Sequence, residues 1–138
     1  MRRRRVLTAL GTAFATVGAG CTAVGSLGGV DGDVGMTAVA FEPATITVAV
    51  GDEVVWYNNS ARAHSITAYE DGIPADAAYF ATGGYDSEAA AREAWDGMNG
   101  AITNGQRYAH TFEVPGTYNY FCIPHERGGM VGTVVVEE

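Results

Sequence analysis

Cys122, His125 and Met130 stand in one short segment, Tyr120-Phe121-Cys122-Ile123-Pro124-His125-Glu126-Arg127-Gly128-Gly129-Met130, spaced as Cys-x2-His-x4-Met. His64 lies far upstream. A thiolate, two imidazoles and a thioether are the donor set of a trigonal His2Cys copper plane with a weak axial Met, and few other chemistries use that set. If the four residues act together, the fold must bring His64 back to the C-terminal segment. A strand network that holds His64 opposite the Cys-His-Met loop would do so.

The N-terminus reads as an address. Arg2 to Arg5 form a basic run, Val6 to Ala19 is apolar but too short to span a bilayer comfortably, and Gly18-Ala19-Gly20 leads to Cys21. This is the layout of a signal peptide. Arg3, Arg4, Val6 and Leu7 resemble a twin-arginine export signal. Gly18-Ala19-Gly20-Cys21 resembles a lipobox, with Gly18 where a larger apolar residue is usual. Residues 1–21 are therefore expected to be a lipoprotein signal ending at a lipidated Cys21. Residues 22–35, rich in Gly with Asp31 and Asp33, are expected to be a flexible tether. The expected location is the extracytoplasmic face of the cell membrane, held by the lipid. There, with Cys21 spent, Cys122 has no disulfide partner, and a free thiol is a liability. A copper-bound thiolate accounts for it. A buried inert Cys is the plainer alternative, which the spacing of His125 and Met130 disfavours.

The formal net charge is −8, from 8 basic and 16 acidic side chains, with no Lys. Arg2 to Arg5 supply half of the positive charge, and every acid follows Cys21. Such a chain lacks the basic patches that nucleic-acid binding needs. Its self-repulsion costs stability in dilute buffer and is screened in strong salt. An acid excess without lysine resembles proteins of salt-loving archaea.

From Met36 to Glu138 the chain is one domain by length, and its pattern is mostly strand. Thr45 to Val50 alternates and turns at Gly51-Asp52; Val54 to Tyr57 follows, ended by Asn58-Asn59-Ser60; Ala63 to Tyr69 is a further strand. Arg107 to Val114 puts Tyr108, His110, Phe112 and Val114 on one face. Thr117 to Cys122 pairs back after a Pro-Gly turn, and Val131 to Val136 closes the sheet. Short strands with regular turn signals indicate a β-sandwich. Glu70 to Thr103 departs from this pattern. Asp86 or Ser87 can cap a helix from Glu88 to Trp95, with Gly97 beyond its end, Glu88 and Arg92 an i, i+4 pair, and Ala91 and Trp95 on one face. This excursion reads either as a flap over a sheet edge, the commoner case, or as a partner-docking surface.

Phe41-x-Pro43, Ile46-x-Val48, Gly51-Asp52-x-Val54-x-Trp56-x-Asn58-Asn59, His64, Pro115-Gly116-Thr117-Tyr118-x-Tyr120-x-Cys122, Pro124-His125, Met130 and Gly132-x-Val134 form one extended pattern. It resembles the plastocyanin-like cupredoxins, and among them the halocyanins of salt-loving archaea. The match covers nearly all of residues 36–138 outside the excursion. The resemblance implies an all-β Greek-key sandwich of about eight strands with a short helical excursion, carrying one type 1 copper ion near one end. It implies His64, Cys122 and His125 as in-plane ligands and Met130 as the axial one. It implies His125 as the ligand edge near solvent, with Ile123 and Pro124 in an apolar patch around it, and Tyr118 as a corner tyrosine. The implied role is a membrane-tethered, monomeric carrier of single electrons, Cu(I)/Cu(II), between redox proteins of the respiratory chain. It has no catalytic residues and binds no nucleic acid.

Three departures bear on that expectation. Ser65 stands where plastocyanins commonly carry Asn, whose side chain ties the ligand loops together; the tie is expected to run to Asn119 or to be lost. Phe121 stands where Tyr is common, and alternation points it outward, opposite Tyr120 and Cys122. No second Cys is left for the disulfide characteristic of azurins. His110 is the spare imidazole, expected to face inward and to be hydrogen-bonded. Met36, Met98 and Trp56 read as packing or loop residues, and Tyr79, Phe80 and Tyr85 as aromatics that hold the excursion down. An oxidase or reductase would need further copper ligands, and a copper-delivery protein would show Met and His clusters; neither is present. Two imidazoles, a thiolate and a long thioether suit neither copper oxidation state fully, so an electron moves with little rearrangement. Pro124 has no N–H to donate toward the Cys122 sulfur, which favours a lower potential than a donor there would give.

Overall fold

The computed structural model describes residues 32–138. Cys21, the expected export signal and most of the expected tether lie outside them. Among the described residues the strands are β1 (Val34–Met36), β2 (Phe41–Glu42), β3 (Thr45–Ala49), β4 (Glu53–Asn58), β5 (Thr67–Ala68), β6 (Arg107–Thr111), β7 (Gly116–Phe121) and β8 (Val131–Glu137). One helix, α1 (Glu88–Ala94), lies between β5 and β6. Two four-stranded sheets form, in the orders β2-β1-β4-β6 and β3-β8-β7-β5. Each sheet holds one parallel pair, β1 with β4 and β3 with β8, because the chain crosses between the sheets repeatedly. The expected all-β sandwich of about eight strands is what the sequence forms.

Period-2 alternation supplies the core. In β4, Val54, Trp56 and Asn58 are buried while Glu53 faces out; in β8, Gly132, Val134 and Val136 are buried. Trp56 is central, with the ring centroids of Tyr120, Tyr108, Phe80 and Phe112 at 5.4, 5.7, 6.2 and 6.4 Å. Aromatic pairs at such separations contribute about 0.5–1.5 kcal/mol each beyond burial alone. Tyr120 packs onto Gly132, where any Cβ would overlap its ring, so β7 and β8 can meet here only with glycine at 132. Tyr118 pins the neighbouring corner as expected, its hydroxyl donating to the Val114 carbonyl at 2.6 Å.

Two boundaries differ from the sequence pattern. β1 begins inside the expected tether: Val34 and Met36 are fully buried, and Asp33 bonds Val55 through both its N–H (2.7 Å) and its carboxylate (2.9 Å). The glycine-rich context hid a three-residue alternation, and the domain starts before Met36. The strand expected over Ala63–Tyr69 is regular only at Thr67–Ala68, because His64 bridges Ile102 and Thr67 bridges Ala81. The excursion thus docks onto the His64 segment itself. Ser87 caps α1, its Oγ accepting from the Ala90 N–H at 3.1 Å, and Ala91 is buried beneath it. The helix passes through a 3-10 turn that includes Gly97 and stops at Met98, which takes the left-handed φ of 62°.

Candidate metal centre

The C-terminal loop is built by its own backbone. Cys122 leaves β7, and Ile123–Gly128 form a 3-10 segment with Pro124 in its first turn. The His125 N–H donates to the Cys122 carbonyl (3.2 Å), the Met130 N–H to the His125 carbonyl (3.2 Å) and the Cys122 N–H to the Met130 carbonyl (3.0 Å). Gly129, at φ 93°, makes the reversal that returns the chain to β8. Four internal bonds, counting the Gly129 N–H to the Glu126 carbonyl at 2.9 Å, therefore close this loop. On the other side, His64 is anchored by reciprocal backbone bonds with Ile102, at 3.0 and 2.7 Å.

Three of the expected ligands converge. The Nδ1 atoms of His64 and His125 are 3.1 Å apart, and the Cys122 Sγ lies 3.4 Å from each. The point equidistant from these atoms is about 1.9 Å from each, close to the roughly 2.0–2.3 Å at which imidazole nitrogen and thiolate sulfur hold a first-row metal. The donor set and the size of the triangle both fit a copper ion. His64 and Cys122 are fully buried and His125 is half-buried. Met130 is fully buried and joined to Cys122 through the backbone bond just described.

The His64 ring is oriented by residues that read in the sequence only as a strand end. Its Nε2 is 3.1 Å from the Ser60 Oγ, and that hydroxyl lies 2.8 Å from the Asn58 Oδ1. An amide oxygen only accepts, so the Ser60 hydroxyl donates to Asn58 and receives the His64 Nε2–H. The Nδ1 lone pair is then left facing Cys122 and His125, as a ligand requires. Asn58 is fully buried and fully bonded: its Nδ2 donates to the Arg62 and Ile102 carbonyls (2.8 and 2.7 Å), and its Oδ1 also accepts from the Ser60 N–H (2.9 Å). Nothing local to Asn58-Asn59-Ser60 marks this role, because the bond to the Ile102 carbonyl spans a long loop.

Charge favours the ligand states. Burial holds His64 below the ordinary 6.5, and the neighbouring His125 adds to this. His125 is lowered by burial and then by Arg62. Both imidazoles are thus neutral with a free lone pair at pH 7. Burial pushes the Cys122 thiol up, opposed by the Ser65 N–H, which donates to its sulfur at 3.4 Å. A metal bound here must therefore displace the thiol proton.

Several expectations need correction. The tie between the ligand loops is not lost and does not run to Asn119: the Ser65 Oγ accepts the Ile123 N–H at 2.9 Å and bonds the Thr67 Oγ1 at 2.9 Å. Asn119 instead donates to the Gly72 carbonyl and accepts from Thr133. Phe121 does point away from the core side of β7, but it is fully buried. Tyr69 stacks on it with ring centroids 4.3 Å apart, and the Arg92 guanidinium lies 4.2 Å over its ring. His110 stays outside the triangle, half-buried and stacked on Phe80 at 4.6 Å. Pro124 is exposed and Ile123 half-buried next to His125.

Comparison with known proteins agrees with this geometry. Residues 29–137 match the model of copper-binding proteins of the plastocyanin/azurin family. The chain is 39% identical over 100 residues to chloroplastic plastocyanin of Tetradesmus obliquus, covering 72% of this chain and 60% of that protein. It is 38% identical over 111 residues to plastocyanin of Rumex obtusifolius, covering 80% of this chain and 96% of that one. The crystal structure of amicyanin from Paracoccus versutus superimposes with a TM-score of 0.54 at 30% identity, over 75% of this chain and 78% of that one.

Proposed function

The chain belongs to the plastocyanin/azurin family of copper-binding proteins, and from that premise we propose that it carries single electrons between membrane redox proteins, held outside the cell membrane by a lipidated Cys21. The family consists of electron carriers, not enzymes. The observation that carries the reading is the closed triangle of His64, Cys122 and His125 donor atoms. A copper ion held by these three, with Met130 as the fourth ligand, supplies a Cu(I)/Cu(II) couple. The chain's part is to hold the donors fixed. His64 is locked by Ser60 and Asn58, Cys122 receives the Ser65 N–H, and the loop closes on itself. His125 is the half-exposed ligand, and its edge, beside exposed Pro124, is where a partner makes contact.

The basic run, short apolar segment and Cys21 support twin-arginine export and a lipid anchor, with the copper domain following a glycine-rich tether. The acid excess without lysine supports work in strong salt and a likeness to halocyanins. The partners in this reading are respiratory-chain redox proteins, met by a monomer. Voltammetry of the copper-loaded domain tests the electron-carrier role: one reversible one-electron wave is expected, and an irreversible or multi-electron wave would contradict it. Mass analysis of the membrane-extracted protein tests the anchor, with a diacylglyceryl adduct on Cys21 expected and an unmodified N-terminus opposing it.

A further inference from the structure

Glu126 follows the ligand His125 directly, and its carboxylate is held from the excursion helix. Arg92 Nη1 and Nη2 donate to Glu126 Oε1 and Oε2 at 2.8 and 3.1 Å, a two-pronged fork. The Tyr69 hydroxyl donates to the same Oε2 at 2.6 Å. Arg92 is itself fixed from behind: its Nε donates to Glu88 Oε2 at 3.0 Å, and its guanidinium rests on Phe121, the residue before Cys122. Glu88 and Glu70 exchange bonds, each backbone N–H donating to the other's carboxylate at 2.9 and 3.1 Å, which staples α1 to the 3-10 turn after β5. The helix, the β5 edge and the ligand loop thus meet at one guanidinium. Contacts at 2.8 Å are no longer than the ~3 Å Debye length of 1 M salt, so strong salt leaves them standing when long-range charge effects are gone.

We propose that Arg92 is a positioning residue for the copper site: by gripping Glu126 it immobilises the loop from Ile123 to Gly129 and so keeps His125 at its distance from His64 and Cys122. The excursion is then neither a plain flap nor a docking surface but a brace for the ligand loop. This rests on the copper-site reading, yet the brace can be measured without copper.

Amide hydrogen exchange of the metal-free domain tests it. In Arg92→Gln the amides of His125, Gly129 and Met130 are expected to exchange roughly threefold faster, while those paired between β7 and β8 keep their rates. Glu126→Gln should give the same local rise, and the double variant no more than either alone. Arg92→Lys, which keeps the charge but not the fork, should fall between. In the copper-loaded protein the same variants should broaden the copper hyperfine lines. Unchanged loop exchange in Arg92→Gln, or an equal rise across both sheets, would overturn the proposal. Failure of the wild-type protein to form a copper–thiolate site would overturn the copper reading while leaving the exchange result to decide the brace.

Discussion

The two imidazoles of the site are held by opposite kinds of structure. Behind His64 stands a neutral, buried network in which Asn58 uses every donor and acceptor it has. Behind His125 stands a charged, partly exposed one, with the Arg92 side chain 38% and the Glu126 side chain 28% accessible. Breaking a buried network leaves desolvated groups without partners, at about 1–3 kcal/mol each. Breaking an exposed ion pair costs about 0–1 kcal/mol, because water replaces what is lost. One wall therefore belongs to the folding core, and the other can hold a ligand in place while leaving its edge open to a partner.

The sharpest way to break this contrast is Asn58→Ala. It removes both Nδ2 bonds and takes the acceptor from the Ser60 N–H and hydroxyl, while the Ile102 carbonyl keeps the His64 N–H and the Arg62 carbonyl keeps the Ser60 hydroxyl, and should cost about 2–3 kcal/mol in urea unfolding. Arg92→Gln should cost under about 1 kcal/mol in the same assay. Equal costs would remove the distinction between the walls. Ser60→Ala sharpens it from within the His64 side. The ring loses one of its two acceptors, the Thr37 backbone being the other, so copper affinity should fall about 10-fold while stability changes by less than about 1 kcal/mol. A competitive chelator titration reads this directly, and an unchanged affinity would mean that Ser60 does not orient His64.

On the exposed wall, Pro124→Ala introduces an N–H where none exists, in a loop whose Cys122 sulfur receives a bond from Ser65 on the other side. A rise in reduction potential with little change in stability is expected, and a potential that does not rise would show that this position does not tune the sulfur. The smallest effect is that of pH on the metal-free protein. His64, His110 and His125 are all held below 6.5 in the fold, each chiefly by burial. The unfolded chain then binds protons first as acid is added, so stability falls as pH drops below about 6.5 and continues to fall until the folded imidazoles titrate. His110→Phe, which preserves the stack on Phe80, should make that slope shallower, and an identical slope would assign the effect to the two ligand histidines alone.

What was legible in the sequence follows the same division. Cys122, His125 and Met130 could be read because a single loop sets their spacing, and β4 and β8 because one buried face gives strict alternation. Alternation assigned Phe121 to the correct side of β7 but could not say what lies on that side. The cover comes from Tyr69 and Arg92, which approach from a segment with no strand period. Asn58 and Ser60 looked like turn punctuation, since nothing local distinguishes an Asn facing solvent from one that bonds Ile102 across a long loop. The Ser65 tie was missed for a related reason: a shorter side chain still reaches when the opposing backbone N–H, that of Ile123, comes closer. β1 was hidden because only three residues alternate, with Gly35 at their centre.

The most direct measurement is to add copper(II) to the purified domain in high salt and record its visible and electron-paramagnetic spectra beside those of Cys122→Ser. If His64, Cys122 and His125 hold copper as their geometry indicates, an intense blue thiolate-to-copper band with narrow hyperfine splitting will form in the wild type and vanish in the variant. A colourless protein, or an ordinary square-planar copper signal that survives Cys122→Ser, would contradict it.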